Sequence, residues 1–160
     1  MEIKFTDENL KKLEEIKKRY PTTEACVMHA LWMAQYQYGW ISDDVMRYVG
    51  KLLEMPYESV YGVVTFYTMY NNKPVGKYHL QVCTNVSCML RGGYDIVDHI
   101  CSRLNIKVGD TTNDGKFTLI EAECLGSCGT APMMHVNDYF RENLTKDSVD
   151  KILEELSNKN

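Results

Sequence analysis

Two pairs of cysteines, in VCTNVSC and ECLGSC, constrain this chain more than any other feature. Cys83 and Cys88 have four residues between them, Cys124 and Cys128 have three, and 35 residues separate the pairs. Each pair sits where a predicted strand runs out. YHLQVC alternates in the manner of a half-buried strand, and FTLIEAEC is again strand-like. If the two strands are neighbours in a sheet, both loops leave it at the same edge and four sulfurs converge there.

What those sulfurs do depends on the compartment. Six cysteines in a small secreted protein suggest disulfides, whereas clustered cysteines in a reducing cytoplasm point to metal binding or redox chemistry. The N-terminal MEIKFTDENLKKLEE has no apolar h-region and is too acidic for a transit peptide, so the expectation is cytoplasmic. No apolar run approaches the roughly 20 residues that span a bilayer, which excludes direct membrane insertion. A formal net charge of −4 argues against nucleic acid as partner. With 44% hydrophobic and 25% charged residues, the 160-residue chain has the balance of a folded protein, large enough for one ordinary domain or two small ones.

The periodicity changes part-way along. Residues 1–73 read as a helical bundle. Leu10, Leu13 and Ile16 form a stripe that Tyr20-Pro21 ends, and Thr22 or Thr23 caps a second helix that stops at Gly39. Ser42 caps a third, with Ile41 and Met46 placed as a hydrophobic staple, and YESVYGVVTFYTMY follows Pro56 as a fourth. NNKPVGK (71–77) reads as a linker. Residues 74–160 then run β-α-β-β-α, ending in an amphipathic helix with Val149, Ile152, Leu153 and Leu156 on one side. That order predicts a small α/β domain with helices packed on a mixed sheet.

The residues between the cysteines suit a cluster loop. Thr84, Asn85, Ser87, Gly126, Ser127, Gly129 and Thr130 are small or polar and let backbone N–H groups approach sulfur. Leu125, Val86, Met89 and Pro132 are candidates for an apolar shell. The spacings are wide for a zinc knuckle, and the compact C-x₂-C-x₂-C run of many [4Fe-4S] sites is missing. A [2Fe-2S] cluster fits best, with zinc, a disulfide or inert thiols remaining as alternatives. Four thiolates with no histidine ligand predict a low reduction potential, on the order of −400 mV.

Other features read more plainly. Cys26 lies in an apolar helix, and Cys101 falls on a stripe with Tyr94, Val97 and Leu104, so both are expected in cores. Of His29, His79, His99 and His135, only His135 is near a cysteine pair as a possible hydrogen-bond donor. Residues 42–70 mimic a helix-turn-helix, but no Lys or Arg occurs from 52 to 72. The fourth helix is apolar around much of its circumference, as in a bundle core or beneath a partner. No G-x-G-x-x-G is present, RGGYD being only a helix start, and no catalytic triad is spaced for use. The chain is not expected to carry out hydride chemistry by itself.

C-T-x-x-x-C followed by C-L-G-x-C-x-x-A-P, with VTFYTMY before the linker, resembles the family of 24 kDa-type subunits of respiratory NADH:quinone oxidoreductase, complex I. It is equally similar to the related subunits of NAD-linked hydrogenases and formate dehydrogenases. The resemblance covers nearly the whole chain and implies an α+β, two-part fold: an N-terminal helical bundle and a thioredoxin-like [2Fe-2S] ferredoxin domain. It implies Cys83, Cys88, Cys124 and Cys128 as cluster ligands. It further implies docking on a 51 kDa-type flavoprotein that holds FMN and NADH. The chain would then exchange single electrons with that FMN, among the other subunits of a peripheral arm at the cytoplasmic face of the inner membrane.

Overall fold

The computed structural model describes residues 3–159, so the outer ends of the two expected domains, Met1, Glu2 and Asn160, lie outside it. The chain separates into two compact units, Met1–Pro74 and Val75–Asn160, with the break inside the linker-like NNKPVGK.

The first unit is helical: α1 (Asp7–Lys17), a 3₁₀ turn (Thr23–Cys26), α2 (Val27–Tyr38), α3 (Asp43–Leu53) and α4 (Tyr57–Phe66). Local chemistry sets the boundaries. Thr6 and Ser42 accept from the amides of Asn9 and Val45, and α2 ends at Gly39 in the left-handed conformation. The second helix differs from expectation in its first turn, which is 3₁₀. Thr22 makes no side-chain cap, and the Thr23 hydroxyl instead donates to the Leu53 carbonyl at 2.7 Å, where α3 leaves an acceptor free. Leu13, Leu31, Ile41, Val45, Val49, Leu53 and Val60 fill the interior.

The fourth helix is shorter than its apolar run. Tyr67 turns extended, and Tyr70 folds inward to donate to the Met28 carbonyl at 3.1 Å. Buried Gln35 holds the returning chain, donating to the Met69 carbonyl and accepting from the Asn71 amide. Only Val60 and Val64 of α4 are buried, while Phe66 is 77% exposed.

The second unit contains β1 (Tyr78–Cys83), α5 (Val86–Leu90), α6 (Gly93–Leu104), β2 (Phe117–Ala122), a 3₁₀ turn (Cys128–Thr130), β3 (Met134–Val136), β4 (Tyr139–Arg141) and α7 (Lys146–Asn158). The sheet order is β2-β1-β3-β4. The β1–β2 pair is parallel and the other two pairs are antiparallel, so the sheet is mixed as expected. A parallel pair needs a crossover, which α6 supplies. Tyr78, Leu80, Val82, Phe117, Leu119, Met134 and Val136 form one core with Ile96, Val97 and Ile100 of α6 and Val149, Leu153 and Leu156 of α7.

The buried stripe of α6 is therefore centred on Ile96, Val97 and Ile100. Tyr94 is exposed, and Cys101 is only partly buried at the edge of that core, because the stripe lies one position away from the predicted one. Asp150 of α7 accepts from His99 at 2.9 Å and from Arg103 at 2.8 Å, joining the two helices at their outer edge. Among the described residues no helix is long and apolar enough to cross a membrane.

Candidate metal centre

The strand order determines where the second cysteine pair must go. β2 and β3 flank β1 on opposite sides, so the segment between them has to cross the end of β1. Cys83 closes β1 opposite Ala122, and Val82 stands opposite Met134. The crossing is tied down on both flanks: the Thr84 amide donates to the Ala122 carbonyl and the Cys83 amide to the Met133 carbonyl, both at 3.1 Å. Cys124 follows Ala122 by two residues, and Cys128 opens the 3₁₀ turn within the same crossing.

Cys88 arrives from the other direction, in α5, a single turn of helix that sequence periodicity did not reveal. Asn85 starts it by accepting from the Val86 amide at 2.7 Å, and the Met89 amide donates to the Asn85 carbonyl. Gly93 at the start of α6 makes the packing possible. A Cβ on it would lie 2.9 Å from the Cys88 carbonyl oxygen and 3.0 Å from that of Cys83. Both early cysteines are buried, packed with Ala131 and Met133 and flanked by Leu125, whereas Cys124 and Cys128 are exposed. Ala131 joins Pro132 through a cis peptide bond.

The sulfurs sense one another. Burial pushes the Cys88 thiol above its usual range, and its hydrogen bond to Cys83 and the proximity of Cys83 and Cys128 push the same way. The Met133 N–H, donating to the Cys88 sulfur, opposes them by favouring thiolate. Cys83 and Cys128 thus both lie within electrostatic reach of Cys88, and all six cysteines are free. A cation would reverse the sign of this environment, because crowded soft donors that resist ionising alone ionise readily as its ligands.

Among the described residues, no three His, Cys, Asp or Glu side chains are grouped as for a single metal ion. A binuclear cluster asks for something different, two thiolates at each iron, so its ligands surround a body rather than a point. Two cysteine loops at one sheet end, an apolar floor and an exposed outer pair fit that requirement.

Several expected details differ. The Thr84 amide donates to the Ala122 carbonyl, because β1 continues its ladder one residue past Cys83. Asn85 and Ser127 use their side chains on Val86 and Glu142. Ser87 is partly buried, and Gly126 and Gly129 are exposed, with Gly126 at φ 80°. Val86 and Met89 face solvent because α5 turns them away from the sulfurs, so Ala131, buried Pro132, Met133 and Leu125 supply the apolar surroundings. The histidines stand elsewhere. His29 bonds to Tyr20 and His99 to Asp150, and the buried Nε2 atoms of His79 and His135 have no hydrogen-bond partner, His135 lying edge-on to Phe140. Met133, Gly93 and Glu142 carry roles that the sequence does not announce. Only the A-P-M run and the consecutive glycines Gly92 and Gly93 hint at the first two.

Two helices on one face of a mixed four-stranded sheet, with cysteine loops gathered at the end of β1, define a thioredoxin-like protein with a thiol-lined site. The family model for the thioredoxin-like [2Fe-2S] ferredoxin matches residues 13–157, and the chain belongs to that family.

Curated relatives agree over nearly the full length. The NADH-quinone oxidoreductase subunit lettered E in Rickettsia conorii is 46% identical over 157 residues, covering 96% of this chain and 94% of its own. NADH dehydrogenase [ubiquinone] flavoprotein 2, mitochondrial, of Dictyostelium discoideum is 44% identical over 157 residues, covering 96% of this chain and 64% of its own. Among solved structures, an air-oxidized NAD+-reducing [NiFe]-hydrogenase superposes with a TM-score of 0.73 over 82% of this chain and 23% of that one. At 18% identity it speaks to the fold alone. The resemblance read from the two cysteine motifs is thereby borne out.

Proposed function

We propose that this chain is the electron-transfer subunit of the NADH dehydrogenase module of a respiratory NADH:quinone oxidoreductase, with Cys83, Cys88, Cys124 and Cys128 holding one [2Fe-2S] cluster. The observation that supports the reading is the crossing of the β2–β3 segment over the end of β1, which carries both later cysteines and brings Cys128 within electrostatic reach of Cys88. Bound there, the cluster supplies a one-electron carrier. The protein supplies unequal surroundings for it. Cys83 and Cys88 form a buried inner side on Ala131 and Met133, and Cys124 and Cys128 form an exposed outer side. That asymmetry suits the approach of an electron donor from the outer side.

Nothing in the sequence forms a dinucleotide fingerprint, so hydride chemistry belongs to a partner, a 51 kDa-type flavoprotein with FMN and NADH. The assembly is a peripheral arm at the cytoplasmic face of the inner membrane. The diaphorase module of an NAD-linked hydrogenase keeps the same ligands and changes the company. The 46% identity to a respiratory relative favours the former.

Iron and acid-labile sulfide analysis tests the ligand set. Two of each per chain, with an EPR signal after dithionite reduction, are expected. One zinc per colourless chain overturns the reading.

A further inference from the structure

The crossing that carries Cys124 and Cys128 has little stiffness of its own. Gly126 adopts φ 80°, and a Cβ on Gly126 or Gly129 would meet nothing within 4 Å. What holds it comes from three successive residues after β4. The Glu142 carboxylate accepts from the Ser127 hydroxyl and, at 2.5 Å on the same Oε1, from the Thr130 hydroxyl. The Asn143 amide donates to the Thr130 carbonyl at 2.8 Å, and the Leu144 amide to the Pro132 carbonyl at 2.9 Å. Leu144 is itself buried in the sheet core, so this frame is anchored. The two hydroxyls stand 2.7 Å apart, so one acceptor gathers both ends of the turn that contains Cys128.

We infer that Glu142 is a positioning residue for the candidate metal centre, its carboxylate clamping Ser127 to Thr130 and so holding Cys128, and Cys124 before it, in place. The inference rests on the proposed ligand set. Ionised acceptors make hydrogen bonds roughly twice as strong as neutral ones, and a carboxylate has lone pairs enough for both donors. Because the Glu142 contacts lie at the surface, its loss leaves the core intact and acts on the loop. Gln preserves an acceptor oxygen at the same reach, removes the charge and puts an NH2 donor in place of the second oxygen.

The test compares wild type, Glu142→Ala and Glu142→Gln as full-length chains. Two readouts serve: amide hydrogen exchange across residues 124–131 and the rate of iron release to a chelator. Expected for Glu142→Ala are faster exchange confined to that segment and iron release about 10- to 100-fold faster, the usual effect of removing a group that supports a ligand. Glu142→Gln, with neutral and weaker hydrogen bonds, should recover part of both losses. Unchanged exchange and unchanged iron release in Glu142→Ala overturn the inference, as does a Gln variant no better than Ala. If wild type binds no iron, the proposed function falls, and exchange in the segment still decides the clamp.

Discussion

The peptide groups of Met133 serve Cys83 and Cys88 from its two ends. Its carbonyl accepts from the Cys83 amide at 3.1 Å, and its N–H donates to the Cys88 sulfur. One residue's backbone thus relates the last residue of β1 to the only ligand candidate in α5. Side-chain identity does not enter this arrangement, so replacement of Met133 by Leu should leave it standing, whereas a shift of the β1–β3 register would break both bonds together.

Gly93→Ala is the sharpest packing test. Alanine inside a helix ordinarily stabilises by about 0.5–1 kcal/mol over glycine. Here the new methyl group would press on two carbonyl oxygens at 2.9 and 3.0 Å, both backbone. Overpacking against groups that cannot swing aside should make the variant less stable by about 1–3 kcal/mol in chemical denaturation, with reduced iron content.

Substituting cysteines one at a time separates ligands from bystanders. Cys124→Ser should change the visible spectrum and lower the iron content, although Cys124 is exposed and its loss disturbs no packing. Cys101→Ser, at the margin of the sheet core, should leave the spectrum unchanged. An unaltered spectrum in Cys124→Ser would remove it from the ligand set.

Acidification should destabilise the fold through two histidines. Burial holds the pKa values of His79 and His135 below the ordinary 6.5, with Asp138 opposing at His135. A depressed base contributes stability that is present above its unfolded pKa and lost as pH falls through the folded one. Denaturation free energies should therefore decline as pH falls below about 6.5, the ordinary histidine value at which the unfolded chain begins to take up the protons that the folded one resists. His79→Leu should flatten part of that slope. The carboxylates that accept hydrogen bonds, Asp114, Glu142 and Glu155, lose their contributions below their ordinary values of 3.8 and 4.5, a separate and lower window.

Asp150→Ala should cost stability without touching the site. It removes the acceptor shared by His99 and Arg103 across α6 and α7, both contacts partly exposed. A loss of about 0.5–1 kcal/mol with an unchanged spectrum is expected.

The sequence carried much of this fold because its signals were long or chemically specific. Alternation in YHLQVC, the Ser42 cap and the Val149–Leu156 stripe each leave a mark over several residues. α5 did not, since five residues are too few for a helical period and only Asn85 marked its start. The four cysteines stood out through residue type and spacing. The groups around them did not, because the Met133 contribution is backbone, and Glu142 reaches Ser127 from 15 residues away. Thr84, small and beside a cysteine, suggested a close backbone approach to sulfur. Its amide was already committed to the ladder with Ala122.

The crossing over β1 also makes the site a test of completed folding. Cys83 and Cys88 leave the ribosome long before Cys124 and Cys128, and half of the proposed ligand set would hold no cluster. Only when β2 and β3 have both docked on β1 does the intervening segment lie across its end. On the proposed ligand set, metal capture would follow strand pairing, and a chain with a misregistered sheet would stay empty and recognisable as unfinished.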